Sequence, residues 1–265
     1  MRRLGIAVAS AVFALAACST GATTAPSASS TDLTVYVAAS LKGVIEAARA
    51  AYEAANDGTA VTVSTDSSAA LATQIEQGAP VDVYLSADTV NPQKLVDGGY
   101  ADGVAVAFAA NTLAIVVPAA NPAEIATPAD LARPGVKIIA AGDQVPITKY
   151  AKKLVDNLAA RADDPTGFAS AYAANVVSRE DNVKAVVAKV ELGEGDAGIV
   201  YATDAAASTK VRTIDIRADA NVAARYAGIV VKASARLDAA HAFLDWLRGP
   251  DGQAILAASG FRSPS

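Results

Sequence analysis

The residues of this chain best suited to chemistry are small and uncharged, and they recur where a β-rich run gives way to a helical one. Four such loops stand out: Ala38-Ala39-Ser40, Ser67-Ser68, Ser86-Ala87-Asp88 and Asp181-Asn182-Val183. A helix N-terminus offers unpaired N–H groups and a partial positive charge, so loops of this kind can hold an anion without any lysine or arginine. Ser40 and Ser68 would add hydroxyl donors. Each residue also has an ordinary explanation. A serine opening a helix is commonly an N-cap, contributing about 1 kcal/mol. Tyr201, closing the run Gly198-Ile199-Val200, can pack as an aromatic with its hydroxyl in solvent. Glu180 and Asp181 can complement the positive end of the helix that follows. Taken one at a time, these residues leave the function open.

Other chemistries are short of parts. The chain has one histidine, His241, and one cysteine, Cys18. A Ser-His-Asp triad, a cysteine nucleophile or a histidine-based metal site is therefore hard to assemble. Glu180-Asp181 is the only acidic pair on the candidate loops, and it suits helix capping. His241 reads as a surface or half-buried helix residue. The chain is expected not to be an enzyme and to need no cofactor.

These loops must be held by a framework, and the apolar pattern predicts one. Segments 33–37, 60–64, 81–85, 137–141, 175–178, 197–201, 211–216 and 227–231 read as strands. Between them Leu41, Val44, Ile45, Ala48 and Tyr52 recur at helical spacing, as do Ile147, Tyr150, Ala151, Leu154 and Leu158, and again Val183, Val186, Val187 and Val190. Helical stretches are also expected over 71–77, 92–96 and 237–258. Repeated βα units imply an α/β protein with mainly parallel, helix-covered sheets. Ligands of such sheets sit beyond the carboxyl ends of the strands, where the four loops lie.

The N-terminus reads differently. Arg2 and Arg3 precede an apolar run over 4–17 that is too short for a permanent membrane span, as in an export signal. It ends in Leu15-Ala16-Ala17-Cys18, similar to a lipobox, in which the cysteine sulfur takes a diacylglycerol. Residues 1–18 are thus expected to be a lipoprotein leader ending at Cys18. Segment 19–31, made mostly of Ser, Thr, Ala, Gly and Pro, is expected to be a flexible tether. The roughly 230 residues beyond suffice for two modest lobes. The net charge of −5 becomes −7 without Arg2 and Arg3, which argues against nucleic acid or an anionic membrane surface as partner.

Several of these segments together resemble the molybdate-binding proteins of ABC importers. Val37-Ala38-Ala39-Ser40-Leu41 is similar to that family's opening strand and serine turn, and DSSAALATQIEQGAPVDVYLSAD, from Asp66 to Asp88, to its second and third βα units. Gly142-Asp143, Val145-Pro146 and Tyr150-Ala151-Lys152 resemble its second-lobe loop. Gly198-Ile199-Val200-Tyr201 with Asp204-Ala205 resembles its tyrosine strand, and Leu247-Arg248-Gly249-Pro250 and Ser259-Gly260-Phe261 its C-terminal end. The similarity runs from Leu33 to Phe261.

The resemblance implies a periplasmic-binding-protein fold, two α/β lobes with a hinge and an interlobe cleft. Lobe 1 would be 32–110 and 228–265, and lobe 2 would be 111–227, with crossings near 110–112 and 226–228. It implies an oxyanion shell of Ser40, Ser68 and Ala87 from the first lobe and Ile147, Val183 and Tyr201 from the second, with hinge closure around the ligand. That shell consists of donors only and would hold molybdate or tungstate as an oxyanion, with no direct metal-ion ligand. It suits a dianion that carries no proton and disfavours protonated phosphate. The implied partner is the importer's permease. The protein is expected to be a monomer, anchored by lipid on the extracytoplasmic face of the cell membrane. The alternative is a receptor of the same fold for sulfate or another small anion. A protein-interaction lipoprotein with an empty cleft is a further possibility. Two positions depart from the family pattern: Ile147 replaces alanine, and Asp66 replaces a small or apolar residue. Asp66 is expected to point outward or cap the next helix.

Overall fold

The computed structural model describes residues 31–162 and 165–264. The leader, Cys18 and tether residues 19–30 lie outside the described residues, while Thr31 already opens the first strand. Among the described residues, ten strands form two five-stranded sheets. The first sheet contains β1 (Thr31–Ala38), β2 (Thr59–Asp66), β3 (Val83–Ser86), β4 (Ala101–Asn111) and β10 (Ala224–Val231), in the order β2-β1-β3-β10-β4. The second contains β5 (Leu113–Pro118), β6 (Ile138–Ala141), β7 (Val176–Glu180), β8 (Ala197–Tyr201) and β9 (Val211–Ile214), in the order β7-β6-β8-β5-β9.

Alternation explains how a strand faces its cover. In β1, Leu33, Val35 and Val37 are buried. The covering helix α1 (Lys42–Ala55) buries Val44, Ile45, Ala48 and Tyr52, which recur every three or four residues. Tyr52 meets Phe243 and Trp246 of α8 (Leu237–Arg248) edge-on, with ring centroids 5.0 and 5.2 Å apart. The remaining helices are α2 (Ser68–Glu76), α3 (Val90–Asp97), α4 (Pro146–Ala159), α5 (Pro165–Ala174), α6 (Val183–Glu191), α7 (Ala202–Ala206) and α9 (Pro250–Ala258). None of the described helices is long and apolar enough to cross a membrane.

Four points of that reading need correction. The sheets are mixed: β1 pairs parallel with β2 and β3, and β6 with β7 and β8, whereas β10 and β5 run antiparallel to both their neighbours. The antiparallel strands are those entered directly from the other sheet, so no crossover helix sets their direction. β4 and β5 were not expected as strands: Ala101–Asn111 is alanine-rich, and Leu113–Pro118 is buried throughout, without alternation. The return crossing also falls earlier than 226–228, because β10 is already paired to β4 at Ala224↔Asn111. The outward crossing lies at Thr112, between the last residue of β4 and the first of β5. The expected closing helix at 237–258 is two helices, broken at Gly249-Pro250.

Candidate functional site

Parallel pairing levels the strand ends, with Ala38 opposite Asp66 and Val37 opposite Leu85, so the loops leaving β1, β2 and β3 emerge side by side. The loops leaving β6, β7 and β8 face them from the second sheet. Ser40, Ser68, Ala87, Ile147, Val183 and Tyr201 all line one narrow cleft of about 210 Å³, counting its open mouth. All six are buried. Ala38, Ala39, Ser67, Val145, Pro146 and Asn182 complete the walls.

Three helices aim their first turns into this cleft, and their caps decide which N–H groups remain. Ser67 caps α2 by accepting the Ala70 N–H at 3.3 Å. Asn182 caps α6 by accepting the Ala185 N–H at 3.1 Å. Both caps serve the third N–H of the helix, so Ser68 and Val183, at the first helical position, have N–H groups with no intrahelical partner. In α4, Val145 provides no side-chain cap, Pro146 has no N–H, and Ile147 is next in line. Three partial positive ends therefore converge without a cation.

The ordinary explanations divide. Ser67 is a cap, but Ser40 and Ser68 are not: the Ser40 Oγ accepts the Tyr226 hydroxyl at 3.2 Å, and the Ser68 Oγ accepts the Ala87 N–H at 3.0 Å. This corrects the expectation that the Ala87 N–H is free to face an anion. It lies opposite the first turn of α2 and reaches a ligand only by sharing or exchanging Ser68. Tyr201 does not reach solvent. Burial pushes its hydroxyl well above the ordinary tyrosine range, so it stays protonated and can donate, here to the Ala87 carbonyl 3.4 Å away across the cleft.

Acids near the cleft are turned aside. Asp66 accepts the Ser67 N–H at 2.6 Å and is not among the lining residues. Asp88 accepts the Asn91 N–H and side-chain amide at 3.1 and 2.9 Å, at the start of α3. Glu180 pairs with Lys189 at 2.9 Å. Burial alone would raise the Glu180 pKa, but Ser178 and Lys189 outweigh it and hold the carboxyl below its usual range. The cap of α6 is Asn182 rather than Glu180 or Asp181. No lysine or arginine lines the cleft among the described residues. Beside it, the Lys184 ammonium lies 2.8 Å from the fully buried Asp204 carboxylate. His241 sits apart on the first lobe, 2.8 Å from Asp102 and half exposed.

Sequence reading missed Asn111 and Tyr226, which support the cleft from behind. Asn111 closes β4 and Tyr226 lies within β10, where no local pattern marks them. Tyr226 joins an aromatic row, 5.5 Å from Tyr201 and 5.5 Å from Phe261 between ring centroids.

Known proteins resemble this chain over most of its length. The family model for bacterial extracellular solute-binding proteins matches residues 33–262. The molybdate-binding protein ModA of Mycobacterium tuberculosis (strain H37Rv) is 34% identical over 240 residues, covering 90% of this chain and 87% of that protein. Among solved structures, the periplasmic molybdate-binding protein of Azotobacter vinelandii superposes with a TM-score of 0.73 at 25% identity, covering 88% of this chain and all of that one. The sulfate-binding protein SubI of M. tuberculosis superposes with a TM-score of 0.77 at 24% identity, covering 88% and 87% of the two chains, a likeness of fold.

Proposed function

The chain belongs to the bacterial extracellular solute-binding protein family, and on that premise we propose that it captures molybdate or tungstate outside the cytoplasmic membrane for the permease of an ABC importer. The reading is supported above all by the convergence of three helix N-termini, two serines and a buried tyrosine on one small cleft without a cation. In this reading the hydroxyls of Ser40, Ser68 and Tyr201 and the N–H groups of Ile147 and Val183 donate to the oxyanion, and Ala87 joins by sharing its bond with Ser68. A tetrahedral dianion without a proton accepts on every oxygen and asks for no acceptor in return. Donors come from both lobes, so the cage is complete only with the lobes together. The metal stays inside its oxygen shell, and no side chain touches it. Cys18 carries the lipid that holds the monomeric protein at the membrane.

Heating the chain without residues 1–18 in molybdate, tungstate, sulfate or phosphate tests this. A ligand at about 1,000 times its dissociation constant adds about 4 kcal/mol, which for a protein of this size is a rise in Tm of about 10 °C. Equal rises for sulfate and molybdate would remove the selectivity, and no rise with any oxyanion would remove the receptor reading. Replacing Cys18 with alanine is expected to release the protein from the membrane fraction.

A further inference from the structure

The second lobe holds another cavity, larger than the cleft. It measures about 760 Å³ counting its open mouth, against about 210 Å³ for the cleft, and lies between the second sheet and the helices α4 and α5. Small residues meet there from three elements: Ala140 and Ala141 of β6, Ala151 of α4, and Ala169 and Ala173 of α5. Alanines on facing elements leave space that close packing elsewhere denies, and the result is an apolar hollow of the size that small ligands occupy, roughly 300–1,000 Å³. Its charged lining residues, Lys152, Asp156 and Arg179, are exposed and mark its mouth. Lys152 holds Asp143 at 3.2 Å, which leaves the Arg179 guanidinium 3.7 Å from that carboxylate and without a hydrogen bond among the described residues. The Tyr172 hydroxyl, also in the lining, has no hydrogen-bond partner among them either, and burial pushes its pKa up to about 12, so it keeps its proton.

We propose that this cavity is a second ligand site, which takes a small apolar carboxylate with its body among the alanines and its head on Arg179, and that a ligand there strengthens oxyanion binding in the cleft. A guanidinium with idle donors suits a planar carboxylate, and the free Tyr172 hydroxyl can add a further bond. Asp156, also at the mouth and in no ion pair among the described residues, repels such a head and sets it on the Arg179 side. The link to the cleft is the first turn of α4. Ile147 lines both cavities, and Thr148, which lines the second, donates its hydroxyl to the Ala141 and Gly142 carbonyls at 3.0 and 2.7 Å. This turn has no side-chain cap, unlike those of α2 and α6. A ligand packed against it orders the turn before the oxyanion arrives, so the second binding event loses less freedom, and thermodynamic linkage makes the effect mutual. The site stands apart from the function proposed above, while its effect on the oxyanion rests on that reading.

The test uses benzoate and its uncharged counterpart benzyl alcohol, followed by calorimetry and thermal melts. Both are expected to bind and to raise Tm, benzoate with a Kd of about 1 mM or tighter. Arg179→Gln, at a half-exposed position, should weaken benzoate about three- to tenfold and leave benzyl alcohol unchanged. Ala169→Leu fills the cavity from α5 and should abolish binding of both, with the Tm of the free protein kept or raised. At saturating benzoate the Kd for molybdate is expected to fall about fivefold in wild type and not at all in Ala169→Leu, and molybdate should tighten benzoate by the same factor. Should Ala169→Leu fail to fold, the contrast between the two probes on Arg179→Gln decides. Benzoate that does not bind, or that binds Ala169→Leu as well as wild type, overturns the site. Benzoate that weakens molybdate binding is competing for the cleft and overturns it too. Benzoate binding that leaves the molybdate Kd unchanged overturns the coupling. Wild-type protein that binds benzoate in this way but no oxyanion keeps the site and ends the receptor reading.

Discussion

Replacing Val183 with proline removes a single hydrogen from the cleft while leaving the helix it opens. Val183 is the first residue of α6, where proline is well tolerated because its missing N–H has no intrahelical role. The residue before a proline must be extended, and Asn182 already is, with φ −156° and ψ 168°. The helix also keeps its cap, the Asn182 side chain on the Ala185 N–H. The pyrrolidine ring retains most of the buried carbon of valine, so the free protein should melt within a few degrees of wild type. The anion loses a charge-assisted bond of about 1.5–3 kcal/mol, or roughly 10- to 150-fold in Kd, and the ring Cδ now faces it. Val183→Ala is the reciprocal change. It keeps the N–H and deletes two methyl groups from a side chain only 3% exposed, costing about 2 kcal/mol and lowering Tm by about 4–8 °C. Calorimetric titration with molybdate, alongside thermal melts of both variants, should show affinity lost with stability kept in the first and the reverse in the second. A folded Val183→Pro protein that binds molybdate as tightly as wild type would refute the role given to helix N-termini.

Tyr201→Phe should weaken molybdate binding about tenfold, while the free protein's Tm barely moves, since the hydroxyl's contact with Ala87 is a long 3.4 Å; unchanged affinity in the same titration would remove Tyr201 from the cage. Asp204 gives a pH signature: burial raises its pKa to about 6 against the opposing pull of Lys184, so the folded protein holds this proton more tightly than the unfolded chain. Stability therefore falls as pH rises from about 4 to about 6, by about 3 kcal/mol for this group. Lys184→Met removes the opposing ammonium and raises the Asp204 pKa further, so the decline should continue past pH 6 at up to about 1.4 kcal/mol per pH unit, and urea midpoints parallel to wild type across that range would contradict it. Gly252→Ala would set a Cβ 2.4 Å from the Leu247 carbonyl oxygen and 2.5 Å from its Cα, backbone that no rotamer change can move. Forcing α8 and α9 apart should cost about 2–3 kcal/mol, seen as a Tm lowered by about 5 °C or more in a circular dichroism melt.

How much of this was legible depended on whether the signal was local. The cleft loops were, because small and hydroxyl residues between a β-rich run and a helical one mark strand ends and helix starts together. Ser67 and Asn182 followed capping chemistry, although reading the sequence put the α6 cap on acids instead of Asn182. β4 and β5 escaped because alanine and unbroken apolar runs carry no period, and with them went an edge strand of the first sheet and the antiparallel strand of the second. Asn111 and Tyr226 could not be found this way: their partners Thr203 and Ser40 lie 92 and 186 residues distant in sequence. The carboxylates were ambiguous until their partners were visible, since Asp66, Asp88 and Glu180 all fall on cleft loops yet each is engaged elsewhere.

The placement of the cleft lining, with donors on both faces and each of the six candidate side chains sealed from water, has a kinetic consequence. A doubly charged guest held there could leave only through the mouth of the cleft, and shedding its donors one at a time would strand charge among buried groups. Departure must wait until the walls part and water enters, so residence time follows the frequency of gaping rather than the sum of the individual bonds.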